Sequence, residues 1–239
     1  MSEEKDPTNK PAKAPTFTGS VTGSVFNFGT QQGVVSTGDH ASIHQNASPL
    51  LEANAAADLW KRRDNLKDWA HGAETLTLAI AFTDVVDSTH LGNELGDHTW
   101  NQIRRRHMDR CEAEVKIHAG YFIKNLGDGI LAAFHDSASG LDTLLALIAD
   151  TGHPQIRLRA GLHLGEVSLE NEDTFGSQVN FAARVMAHAI RGGLRVSDPA
   201  HSALTALRLP RHDALQWTAF EGVTLKGFED TTRLWAVSR

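Results

Sequence analysis

From Leu76 onward, apolar and polar residues fall into the patterns of an ordinary globular domain, and the chain before that point is built differently. Leu76 to Phe82 is a short apolar β-run, and Thr89 to Lys116 reads as one long helix. Tyr121 to Lys124 and Ile130 to Phe134 are two strands joined by Asn125-Leu126-Gly127-Asp128-Gly129. That joint is a hairpin signal, because Asp-Gly suits the positive-φ positions of a tight turn. Ser137 to Asp150 is a second helix, and Arg157 to Leu169 opens another strand pair. A further helix carries Asn180 and Arg184.

The order strand, helix, hairpin, helix, strand is that of an α+β fold, a ferredoxin-like βαββαβ sandwich with an antiparallel sheet and helices on one face. Ahead of it lie three stretches. Residues 1–17 carry Pro7, Pro11 and Pro15 among Lys, Glu and Ser, and read as a disordered tail. Residues 18–47 hold the tandem Thr18-Gly19-Ser20-Val21 and Thr22-Gly23-Ser24-Val25, then Phe26-Asn27-Phe28-Gly29. That composition suits either a flexible linker or short strands that oligomerise, and both readings stand. Residues 48–72 read as a helix that starts at Ser48-Pro49, with serine capping and proline in the first turn, and stops at His71-Gly72. Such a helix pairs with its copy in a dimer or simply packs on the domain that follows at 75–239.

Charge narrows the function. Lys and Arg number 23 against 29 Asp and Glu, a net charge of −6, which removes the footprint of a general nucleic-acid binder. The cluster Arg104-Arg105-Arg106 reads as a solvated helix face. A single cysteine, Cys111, excludes a disulfide scaffold. No apolar run approaches the ~18 residues of a membrane span, and Met1 to Lys13 is polar, so the expectation is a cytoplasmic protein with no membrane partner. Thirteen histidines without ligand spacing give no reason to expect zinc.

Three features carry candidate chemistry. Asp84 ends the first apolar strand in Phe82-Thr83-Asp84-Val85-Val86-Asp87-Ser88, where a metal-bound phosphate would meet a helix start. The bland reading is that Asp87 or Ser88 merely caps that helix. Asp128 sits in the hairpin, where a plain turn accounts for it equally well. In a ferredoxin-like sheet, however, the first strand lies beside the central hairpin, so the two aspartates can face each other and suit hard divalent cations. Asn180 and Arg184 are four apart on one helix face, an amide and a guanidinium that suit a sugar hydroxyl and a phosphate, or a merely exposed face.

These fragments, with Lys124-Asn125-Leu126-Gly127-Asp128-Gly129, Arg159-Ala160-Gly161-Leu162-His163-Leu164-Gly165-Glu166, Phe175-Gly176-Ser177-Gln178-Val179-Asn180, Val196-Ser197 and Leu225-Lys226-Gly227-Phe228, occur in one order and spacing. Over about residues 75–239 the chain resembles the catalytic domain of the class III nucleotidyl cyclases. The resemblance implies that Asp84 and Asp128, with the Val85 backbone, bind two Mn²⁺ or Mg²⁺ ions per site. It implies that Asn180 orients the ribose, that Arg184 stabilises charge on the α-phosphate, and that Lys226 and the Val86 backbone meet the triphosphate. Lys124 and Asp173 match the base-contacting pair of adenylate cyclases. Asp87 departs from the family, which often has glycine there.

The implied reaction is attack of the ribose 3′-oxygen on the α-phosphorus of a nucleoside triphosphate, expelling pyrophosphate. The family draws the aspartates from one subunit and the Asn–Arg set from the other, so the expected assembly is a homodimer. Lys124 and Asp173 favour adenine. The compact chain without a sensor module instead resembles pyrimidine cyclases of bacterial antiphage systems, and the expectation leans narrowly to UTP or CTP and a downstream cyclic-nucleotide-binding effector. A catalytically inactive dimerisation domain predicts loss of an aspartate or of Arg184, and all are present.

Overall fold

Leu78 to Thr83 are buried without interruption, so the first strand is covered on both faces and lies at the centre of the sheet. The computed structural model describes residues 65–189 and 193–238. The tail expected over 1–17, the segment over 18–47 and most of the helix over 48–72 lie outside the described residues. Of that helix, Leu66–Trp69 forms a single turn, α1. Asn65 is extended (φ −130°, ψ 146°) and its side chain caps the turn at the Asp68 amide, so the helix does not run through this residue as expected.

The elements then follow as β1 (Thr75–Val85), α2 (Ser88–Leu95), α3 (Asp97–Ile117), β2 (Tyr121–Asn125), β3 (Ile130–Phe134) and α4 (Ser137–Ala149). After these come β4 (Leu158–Glu170), β5 (Asp173–Phe175), α5 (Ser177–Ala187), β6 (Leu194–Ser197), α6 (Asp198–Leu207), β7 (Gln216–Thr224) and β8 (Thr231–Ser238). The single helix expected over Thr89–Lys116 is two. Gly96 takes φ 78° and ψ 149°, a conformation that glycine adopts at little cost and that no helix continues through.

The strand order is β2-β3-β1-β4-β6-β8-β7, with β5 on β4. Its first four strands are antiparallel, and only β6 joins β4 in parallel. That arrangement is the expected α+β, ferredoxin-like core. Side chains alternate between faces along each strand. Ala79, Ala81, Leu158 and Leu162 meet Ile103, Cys111 and Val115 of α3, Leu141, Leu144 and Leu147 of α4, and Ala200 and Leu204 of α6. The two helices of the βαββαβ core therefore share one face, as expected. The opposite face, with Leu78, Ile80, Phe82, Leu131 and Val167, is closed by Leu66 and Trp69 of α1 and Ala182 of α5. Cys111 lies inside the first core, where burial pushes its thiol up to about 12, which leaves it inert. Among the described residues no helix is long and apolar enough to cross a membrane.

Candidate active site

β1 stays paired with β4 as far as Val85↔Leu158 but leaves β3 at Phe82↔Leu131. Asp84 thus stands on an open shoulder of the strand, on the same face as Phe82 and directly across from Arg159. The Arg159 Nε donates to Asp84 Oδ2 at 2.6 Å, and its Nη2 pairs with the same oxygen, so the other oxygen has no arginine donor.

Asp128 is brought to that shoulder by packing of the hairpin. A Cβ on Gly129 would run into the Thr83 carbonyl, so only glycine lets the hairpin come so close to β1. The Ile130 amide donates to Thr83 Oγ1 (3.2 Å), and Arg104 on α3 donates to the Gly127 carbonyl (2.8 Å). Burial pushes the Asp84 carboxyl above its usual range; Arg159 opposes the shift, and the neighbouring Asp128 charge adds to it. Two carboxylates held against their own repulsion, one of them paired to an arginine, form a hard-oxygen pair suited to a divalent cation. Among the described residues no cluster of three or more His, Cys, Asp or Glu side chains forms a metal cage. A cation here would complete its shell with backbone, water or phosphate oxygens, as Mg²⁺ commonly does.

The Val86 amide donates to the Arg157 carbonyl at 2.8 Å and so is not free for a phosphate. Backbone groups alternate sides along an antiparallel ladder, so the Val85 N–H and C=O point the other way, toward the hairpin of Asp128. Asp84, Val85 and Arg159 line a pocket of about 550 Å³ with the first turn of α2. Asp87 borders it in left-handed backbone (φ 56°, ψ 34°) and occupies the cap position with no side-chain cap bond. The capping reading of Asp87 therefore fails, and its φ explains why glycine suits the position.

Lys124 on β2 and Asp173 on β5 form an ion pair at 2.5 Å. Asn180 and Arg184 lie exposed on α5, and Lys226 is exposed between β7 and β8. No hydrogen bond or ion pair joins these three side chains to Asp84, to Asp128 or to any other described residue.

Residues 72–238 match the Adenylate and Guanylate cyclase catalytic domain. The chain belongs to this family. It is 33% identical over 170 residues to the pH-sensitive adenylate cyclase MT1302 of Mycobacterium tuberculosis, covering 70% of this chain and 42% of that one. It is 34% identical over 131 residues to putative adenylate cyclase 3 of Rhizobium meliloti, covering 52% and 22%. The chain thus spans less than half the length of these curated relatives. The adenylyl cyclase CyaB from P. aeruginosa superposes with a TM-score of 0.61 at 16% identity, covering 69% of this chain and 95% of that one. An adenylate/guanylate cyclase/hydrolase from Silicibacter pomeroyi gives 0.57 at 26%, covering 70% and 99%. The class III resemblance read from the motifs is thereby established.

Two residues of this cyclase domain escaped the sequence reading. Arg159 stood in a quoted motif without a role, and Arg104 was counted in a solvated basic face. Each is tied to the site by a partner 75 or 23 residues away, which no local pattern reports. The Gly129 contact gives a direct expectation. Gly129→Ala costs about 1–3 kcal/mol of stability by overpacking against Thr83. It should also displace Asp128, so turnover falls further than a parallel thermal melt accounts for.

Proposed function

We propose that this protein converts ATP to 3′,5′-cyclic AMP and pyrophosphate at sites built between two copies of the chain. The observation that carries the reading is the juxtaposition of Asp84 and Asp128 at the end of β1, with Asp84 paired to Arg159 and lining a pocket there. The base assignment rests on the Lys124–Asp173 pair and on relatives named as adenylate cyclases. Neither the site nor the relatives speak for a pyrimidine base, a defence role or a particular effector, so the reading takes adenine.

Class III cyclases use divalent metals. Asp84 and Asp128, with the Val85 carbonyl, would hold two Mn²⁺ or Mg²⁺ ions, which when bound supply Lewis-acid activation of the 3′-hydroxyl and neutralise the triphosphate. The chain's own residues position the substrate. Lys124 donates to a ring nitrogen of adenine, and Asp173 accepts from the exocyclic amine. Asn180 holds the ribose so that its 3′-oxygen lies in line with the α-phosphorus. Arg184 meets the charge that develops on the α-phosphate as the bond to pyrophosphate breaks, and Lys226 and Arg159 hold the leaving phosphates.

A second copy of the chain is part of the reading because Asn180 and Arg184 face solvent, unpartnered among the described residues. Leu126, 44% exposed near Asp128, and Phe175, 46% exposed near Asp173, are apolar side chains that an interface would cover.

The test is to incubate the protein with Mn²⁺ and, separately, ATP, GTP, CTP and UTP, with Asp128→Ala as blank and products resolved by mass. Cyclic AMP is the expected main product. Cyclic UMP or cyclic CMP in its place would overturn the base assignment, and no cyclic product from any of the four would overturn the cyclase reading. Lys124→Ala should lower kcat/KM for ATP by about 10- to 100-fold and narrow the preference over GTP, since a site built to hydrogen-bond one base edge loses its discrimination with the donor.

A further inference from the structure

His163 is a histidine of the chain's motifs to which the reaction gives no role, and it is 3% exposed. Its Nδ1 lies 2.8 Å from Ser197 Oγ on β6, and its Nε2 lies 2.7 Å from Gln178 Oε1 on the first turn of α5. With the Gln178 oxygen an acceptor, the ring carries its proton on Nε2, and Nδ1 accepts from the Ser197 hydroxyl. Burial holds the ring's pKa down, so the neutral form is the resident one. Gly165 makes the bridge possible, because a Cβ there would stand 2.7 Å from His163 Nε2 and 2.9 Å from Gln178 Oε1. The other side of the ring packs on Phe181 of α5 (centroids 4.6 Å), which meets Phe228 edge-on at 5.0 Å. Phe228 lies two residues beyond Lys226.

Three motif fragments therefore meet at one imidazole, and a fourth, 65 residues from His163 at Phe228, reaches it through Phe181. We propose that His163 is a positioning residue: it fixes α5, and with it Asn180 and Arg184, and through Phe181 and Phe228 the Lys226 turn, against the β4–β6 floor of the sheet. His163 touches no substrate. It holds Asn180, Arg184 and Lys226 in one rigid unit, and the proposal rests on the cyclase reading of those residues. Misplacing a substrate-orienting group by an ångström is enough to slow turnover without weakening ground-state binding.

The experiment uses the full chain with Mn²⁺ and ATP. Gln178→Met keeps the side-chain length and removes the acceptor; Gln178→Glu keeps an acceptor. Gln178→Met should lower kcat by about 10- to 100-fold with KM within about threefold of the parent. Gln178→Glu should retain kcat to within about threefold. A long-range ¹H–¹⁵N spectrum should show the Nε2–H tautomer of His163 in the parent, without recourse to activity. Unchanged kcat in Gln178→Met, equal losses in the two variants, a change in KM alone, or an Nδ1–H tautomer would each overturn the proposal. Arg184→Ala measured alongside separates the two levels: full activity there overturns the reading of α5 as catalytic, whatever the Gln178 variants do.

Discussion

Asp128→Ala should abolish cyclase activity, lowering kcat/KM by about a thousandfold or more, while the protein stays folded. Loss and stability part company here because the two aspartates oppose each other in the folded chain. The Asp84 carboxyl is held above its usual range by burial first and by the Asp128 charge in addition, with Arg159 working against both. Removing Asp128 takes away a repulsive neighbour and opens no cavity in the core, since the side chain sits half-buried in the hairpin turn, outside the apolar clusters. The melting temperature without metal should therefore stay within about 3 °C of the parent or rise. The parent should gain stability on addition of Mn²⁺, by mass action on the folded state, and Asp128→Ala should lose most of that gain. A thermal melt with and without Mn²⁺, run beside the activity assay, checks both. An active Asp128→Ala, or an Mn²⁺-dependent gain that survives it, would show that the carboxylate pair is not the metal site.

On the proposed role of Arg184, in which its guanidinium acts on charge that exists only as the reaction proceeds, Arg184→Ala should lower kcat by about 100- to 1000-fold with KM for ATP within about threefold. The residue is exposed and unpartnered among the described residues, so its removal should barely move the melting temperature. Its partner in catalysis is tested by mixing. If each site takes its aspartates from one subunit and Asn180 and Arg184 from the other, Asp128→Ala and Arg184→Ala are both inactive alone. A mixed dimer has one intact site and one doubly damaged site. Random exchange makes half of the dimers mixed, so activity should return to about a quarter of the parent's. No recovery in a mixture shown by mass to contain mixed dimers would place all four residues in one subunit's site.

Much of this was legible along the chain. The apolar run from Leu76 to Phe82 announces a strand, which the structure buries on both faces from Leu78 on, and the Asn125–Gly129 turn announces a hairpin. The helix of Asn180 and Arg184 appears where its four-residue spacing places it. The misses have local causes. Gly96 splits the long helix because one backbone position takes a positive φ, while the polar and apolar residues on either side read as continuous helix. Asn65 starts a new turn where alanine- and leucine-rich composition reads straight through. Arg104 and Asp87 were judged by their chain neighbours. One is bonded to the hairpin from another element, and the other is set by its backbone angles.

The sequence by itself determined the elements and nominated the chemistry, since periodicity, turn residues and motif order are properties of neighbours along the chain. Only the tertiary structure decided which of those residues work together. Asp84 meets Arg159 because β1 and β4 pair in one register out of several, and it meets Asp128 because Gly129 lets a hairpin lie against Thr83. His163 joins Ser197 and Gln178 because a parallel strand and a helix pack on either side of β4. Such contacts depend on register and close packing across tens of residues, and no local pattern carries that information.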